Sequence, residues 1–209
     1  MNLKYKYWYF TKVLSSKFCD DVIKLALAQK KKLGLTFGVD PSKKVSKKDK
    51  LNLKKYRDSN IVWLNEPWIY ETIMPYVRSA NTNANWNFEI DQAEQAQFTI
   101  YKKNQYYHWH RDTSIDPFDC PKDPKLHGKI RKLSITVTLN DPKKYGGGDF
   151  VIMNEDPKNC LKFKKHTVKE INEKGSIVIF PSFLYHAVEP VKQGTRYSLV
   201  IWFLGKPWK

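Results

Sequence analysis

A chain of 209 residues, 41% hydrophobic and 14% aromatic, can bury a sizeable core, and this excludes a disordered or low-complexity polymer. Its formal charge of +16 suits an acidic partner, substrate or surface, or else reflects a Lys-rich solvated exterior. The lysines are scattered, with no Arg-rich stripe and no recognisable nucleic-acid module. Cys19, Cys120 and Cys160 are widely spaced and lack a C-x-x-C pair, which favours reduced thiols. Neither an apolar signal core nor a run of about 18 apolar residues is present, so the expectation is a cytoplasmic protein without membrane contact.

Residues 3–14 alternate Tyr5, Tyr7 and Tyr9 with Lys4, Lys6 and Trp8, and read as a first strand. Ser15 or Ser16 caps a helix whose apolar positions are Phe18, Val22, Leu25 and Ala26, with Gly34 as its stop. Residues 38–56 form a Lys-rich surface loop or substrate flap. Arg57 to Leu64 reads as one short strand. Asn65 then caps a second helix with Pro67 in its first turn and Ile69, Ile73, Tyr76, Val77 and Ala80 on its apolar side. From Trp86 onward the texture is strands and turns: 86–90, 96–103, 107–112, 131–139, 149–153, 160–164, 176–180, 185–189 and 195–204. Helices followed by a block of strands predict an α+β chain forming one domain over residues 1–209. A helical support region, 1–85, packs on one face of a jelly-roll core, 86–205.

The segment Tyr107-His108-Trp109-His110-Arg111-Asp112 carries the first chemical signal. On an extended backbone residues i and i+2 face the same side, so His110 and Asp112 can meet one small ion. His108 and His110 are the alternative pair on that face. A second His at a distance, His186, follows the strand Ser176 to Phe180 and a Pro-Ser turn. Two His and one carboxylate with open positions form the usual site of a non-haem Fe(II) oxygenase. Ten residues later Arg196 opens a strand in which Arg196, Ser198, Val200 and Trp202 share one face, opposite Tyr197, Leu199, Ile201 and Phe203. An inward Arg is costly unless it meets an anion, and a guanidinium grips a carboxylate with two parallel hydrogen bonds.

His110-x-Asp112, His186 and Arg196 together resemble the 2-oxoglutarate/Fe(II)-dependent dioxygenases, and most nearly the prolyl-4-hydroxylase-like, PKHD-type branch. Tyr101 and Tyr107 precede the first ligand as in that branch. Arg131 to Pro142 looks like its central strand, Tyr145-Gly146-Gly147-Gly148-Asp149-Phe150 like its Gly-rich turn, and Phe180 to Trp202 like its closing signature. The resemblance covers residues 96–204 well and the amino-terminal half loosely.

The resemblance implies a double-stranded β-helix in which His110, Asp112 and His186 bind Fe(II). Arg196 would hold the distal carboxylate of 2-oxoglutarate and Tyr101 would hydrogen-bond near it. Thr138, inward with Ser134 and Thr136, falls where some relatives place a Tyr. Trp202 and Val200 would wall the pocket, with Tyr107 and Arg57 as candidate substrate contacts. The implied reaction consumes 2-oxoglutarate and O2 as co-substrates and releases succinate and CO2 as it hydroxylates an unactivated C–H. The expected target is a prolyl residue of a protein or peptide, with ascorbate as a stimulant. A small molecule or a nucleic acid is the alternative substrate, the latter a lesser candidate because the dealkylating branch usually carries a second Arg soon after the first and this strand has none. A non-catalytic cupin-like module, with one of the three ligands facing outward, is the alternative. His127 and His166 are expected to be structural. Residues 113–129 read as a lid.

Overall fold

The computed structural model describes residues 3–34, 52–156 and 159–208. Most of the Lys-rich 38–56 stretch and the side chain of Cys160 fall outside them. The first strand, β1, is short, Trp8–Phe10, because Lys12 turns the chain at φ 53°. Helix α1, Ser16–Leu27, starts as expected: the Ser15 hydroxyl accepts from the Phe18 N–H at 3.1 Å. It ends before Gly34. That glycine instead follows β2, Lys32–Leu33, where its N–H donates to the Ser59 carbonyl and a Cβ would collide with Ser59 and Arg57.

Arg57 to Leu64 is not one strand. β3, Arg57–Asp58, and β4, Asn60–Leu64, join different sheets, with the buried Ser59 between them. Helix α2, Pro67–Asn83, is flanked by Glu66 rather than Asn65 and has no side-chain cap. Residues 86–90 are not a strand either. The Asn81 side chain takes both backbone groups of Phe88, at 2.9 and 3.0 Å, and Asn85 and Asn87 have positive φ. Trp86 and Phe88 are buried all the same.

The remaining strands are β5, Gln92–Ala93; β6, Ala96–Lys102; β7, Tyr106–His110; β8, Ile130–Thr138; β9, Tyr145–Gly147; β10, Phe150–Asp156; β11, Asn159–Thr167; β12, Ile177–Pro181; β13, His186–Val188; and β14, Val191–Gly205. Neither β9 nor the early start of β14 was legible in the alternation. Gly194, at φ 70°, lets the start of β14 fold back along β9.

Among the described residues the larger sheet runs β1-β12-β8-β14-β6-β4-β2, with β5 and β9 also on β14. The smaller runs β11-β10-β13-β7-β3. The pairs are antiparallel and the two sheets face each other as a jelly roll, the double-stranded β-helix expected. Both α1 and α2 pack on the outer face of the larger sheet. There Val22, Ala26, Ile73 and Val77 meet Phe98, Ile135, Leu199 and Phe203 in the main hydrophobic core. A smaller cluster joins the two sheets, with Phe150 and Ile152 from β10 and Val178 and Phe180 from β12. Period-2 alternation therefore sorts each central strand. Leu133, Ile135 and Val137 of β8 and Leu199, Ile201 and Phe203 of β14 enter the apolar core, whereas Ser134, Thr136, Arg196 and Ser198 turn to the interior of the roll.

Candidate metal centre

His110 is the last residue of β7, and Asp112 lies two residues beyond it, turned inward because its N–H donates to the Ser182 carbonyl at 2.9 Å. His186 opens β13 and pairs in register with His110. The ligating atoms of His110, Asp112 and His186 all lie within 4.8 Å of one another. His110 Nε2 is 3.5 Å from Asp112 Oδ1, and His186 Nε2 is 3.4 Å from Asp112 Oδ2. Donors bound about 2.1 Å from one octahedral ion lie about 3 Å apart when cis, so a small contraction suffices.

Both imidazoles are oriented from behind. His110 Nδ1 bonds the His108 carbonyl at 2.7 Å and His186 Nδ1 bonds the Leu184 carbonyl at 3.0 Å. A carbonyl accepts only, so each Nδ1 carries the proton and each Nε2 offers its lone pair inward. The Ser134 hydroxyl donates to Asp112 Oδ2 at 2.7 Å and is backed by Ser182 at 2.9 Å. Burial would raise the Asp112 pKa, but His186 and His110, helped by Arg131, outweigh it and hold the carboxyl well below the usual carboxylate range. Burial, with the neighbouring His110, pushes His186 down to about 4, so it stays neutral and able to ligate at ordinary pH. The donor set fits Fe(II).

His108, the alternative partner, is exposed, and its Nδ1 accepts from the Trp109 N–H at 2.7 Å. It does not join the group. His166 meets the Tyr7 hydroxyl at 2.9 Å, and His127 sits 3.8 Å from Asp119 on the 113–129 loop.

The cavity in front of the triad is lined by Tyr101, Tyr107, Thr136, Arg196, Val200 and Trp202 among others. Arg196 is 3% exposed, and no carboxylate among the described residues pairs with it. Its guanidinium carbon is 5.7 Å from the Tyr101 ring centroid. Burial pushes Tyr101 upward, and Tyr107 up to about 12, so both phenols keep their protons. Among the described residues the buried Trp202 N–H has no hydrogen-bond partner, which leaves it a donor for a bound ligand.

Two sequence candidates lie elsewhere. Thr138 spends its hydroxyl proton on the Ile171 carbonyl at 2.6 Å and lines an adjoining cavity of about 180 Å3 that also touches Arg196. Arg57 stands behind the wall: its guanidinium is 4.5 Å from the Tyr107 ring, which stacks on His110 at 3.5 Å, and its Nε donates to Ser59 at 2.8 Å.

Sequence reasoning assigned no role to Ser134, Ser182, Glu94 or Arg131. Arg131 is held by both oxygens of Glu94, donates to the Asp112 carbonyl at 3.3 Å, and lies 3.9 Å over the Trp202 ring. Only the inward alternation of Ser134 with Thr136 hinted at this support. Ser134→Ala should weaken Fe(II) binding about 10–100-fold with the fold unchanged, measured by competition against a chromogenic chelator.

Residues 96–204 match the model of the 2OG-Fe(II) oxygenase superfamily. PKHD-type hydroxylase YbiX of Escherichia coli O157:H7 is 32% identical over 106 residues, half of this chain and 40% of the relative. A PKHD-type hydroxylase of Xylella fastidiosa strain M23 is 30% identical over 105 residues, 42% of its length. The chain thus aligns with less than half the length of these curated relatives. Among solved structures, the viral collagen prolyl hydroxylase vCPH from Paramecium Bursaria Chlorella virus-1 superposes with TM-score 0.62 at 23% identity, covering 97% of each chain. A Pseudomonas putida prolyl-4-hydroxylase gives 0.66 at 18% identity, covering 96% of this chain and 93% of that one. At those identities the structural likeness speaks for the fold, whereas the family match runs from β6 to the end of β14 and takes in all three facing ligands and Arg196: the chain belongs to the 2OG-Fe(II) oxygenase superfamily.

Proposed function

We propose that the protein is an Fe(II)- and 2-oxoglutarate-dependent dioxygenase that hydroxylates a protein or peptide, at a prolyl residue, with release of succinate and CO2. The observation that carries the reading is Arg196, a buried cation with no carboxylate partner among the described residues, lining the same cavity as the triad. A dicarboxylate that spans the cavity satisfies both ends at once. His110, Asp112 and His186 would hold Fe(II), which when bound activates O2 for attack on an unreactive C–H. The chain's own residues do the rest. Arg196 grips the distal carboxylate with two parallel hydrogen bonds. Tyr101 donates beside it from a phenol that burial keeps protonated. Trp202 and Val200 close the wall and exclude water, and the Trp202 N–H offers a donor to whatever lies against it.

Arg111 lies 5.1 Å over the exposed ring of Tyr185, and the two are next to the ligands His110, Asp112 and His186 in sequence. A cation held on a ring favours an acidic stretch in the peptide. Titrating Fe(II) with 2-oxoglutarate under anaerobic conditions should produce a weak visible charge-transfer absorption. Bound iron without it would overturn the oxygenase reading. Succinate formation is then screened against proline-containing acidic peptides over the uncoupled background. Stimulation only by substrates lacking proline would overturn the prolyl assignment alone.

A further inference from the structure

Arg196 borders two cavities. The one it shares with the triad measures about 30 Å3, and the adjoining one, which none of the three ligands lines, about 180 Å3. A water needs at least roughly 10–15 Å3 of such space, so the first has room for very few waters and most of the free volume at Arg196 lies in the second. The buried Arg196 and Phe150 line both cavities and are the residues that they share.

The walls of the second cavity hold the Arg196 stem but leave space past it. A Cβ on Gly148 would stand 3.0 Å from Arg196 Cδ and 2.9 Å from Val191 Cγ2, so the turn at φ 70° packs directly on that stem. Beyond Arg196 the boundary is Thr138 and Ile171, with the exposed Asn172 at the rim. Thr138 spends its hydroxyl proton on the Ile171 carbonyl at 2.6 Å, so it offers this space a small side chain and no free donor. Among the described residues Arg196 is the one cation on this lining and Asp149 the one carboxylate. That balance disfavours a separate small anion. It suits a carboxylate tethered to something held at the metal centre and matched by Arg196.

We propose that the second cavity takes up added chain length in the co-substrate, so that the enzyme accepts a 2-oxo diacid one methylene longer than 2-oxoglutarate. The inference rests on the dioxygenase reading above. With the keto-acid end fixed at the metal, an extra methylene pushes the distal carboxylate past its usual place, and here that direction is open. Turnover of 2-oxoadipate then yields glutarate and CO2, one atom of O2 entering glutarate and the other the hydroxylated carbon. A pocket closed around its ligand discriminates against one methylene by about 10–200-fold. Thr138 and Asn172 keep this one open, and they are its length-determining residues.

The test is anaerobic calorimetric titration of the iron-loaded full chain with 2-oxoglutarate and with 2-oxoadipate. The parent should bind the longer diacid within about tenfold of the shorter. Thr138→Phe fills the cavity from the strand and Asn172→Trp from the rim. Each should weaken 2-oxoadipate at least about tenfold more than 2-oxoglutarate. Thr138→Val removes the hydroxyl at nearly constant size and should keep the parent's ratio, which separates room from hydrogen bonding. Circular dichroism and Fe(II) titration confirm that each variant is folded and loaded. Rejection of 2-oxoadipate by more than tenfold in the parent, or an unchanged ratio in a folded filling variant, overturns the proposal and leaves the dioxygenase reading standing. Failure of the iron-loaded parent to bind either diacid strikes that reading itself.

Discussion

Arg196→Ala should raise the 2-oxoglutarate concentration for half-maximal succinate formation by about two orders of magnitude. Truncating one partner of a buried charge pair costs about 2–5 kcal/mol, most of it from leaving the other charge unmatched. Arg196 is almost wholly buried and faces the triad cavity, so the lost charge would be a ligand's rather than the protein's. Fe(II) affinity should change by less than about threefold, because Arg196 touches none of the three ligands. Arg196→Lys should fall between the two, retaining charge but losing the planar fork. Side-by-side titrations of metal and co-substrate decide the matter: a collapse of metal affinity would make Arg196 a structural residue and remove the anchor from the proposed mechanism.

Asp112→Ala should reduce Fe(II) affinity more than about 100-fold, exceeding what loss of a supporting hydrogen bond causes. It removes the anionic ligand and leaves the Ser134 hydroxyl without its acceptor. His108→Ala should leave Fe(II) affinity within about threefold, because His108 points outward, away from the group its carbonyl helps to orient. Chelator competition on both proteins settles the pairing. The opposite ranking would move the metal to His108 and His110.

The parts of the fold legible in the sequence are those governed by local alternation. In β14 the faces read from residue type, Arg196 to Trp202 inward and Tyr197 to Phe203 outward, match the structure because one face is packed against helices and the other is not. Gathering of His110, Asp112 and His186 was likewise legible, the first two from their two-residue spacing on an extended segment and His186 from the resemblance. What was hidden depends on distant partners. The crossing between sheets at Ser59 rests on which strands β3 and β4 meet, and no local residue pattern marks it. Asn81 withdrew residues 86–90 from any sheet by binding Phe88, although their composition favours a strand. The brace of Ser134 and Ser182 unites positions 48 apart, with nothing in either neighbourhood to mark it.

The hydrophobic core on the outer side of the larger sheet has a practical result for anyone altering this protein. Along β8 and β14, neighbouring positions answer to different masters: odd residues such as Ile135 and Leu199 set the melting temperature, and even residues such as Thr136 and Ser198 set what the cavity accepts. A library confined to Thr136, Ser198 and Val200 should therefore redirect chemistry while thermal tolerance stays near that of the parent, and one confined to Ile135, Leu199 and Ile201 should do the reverse.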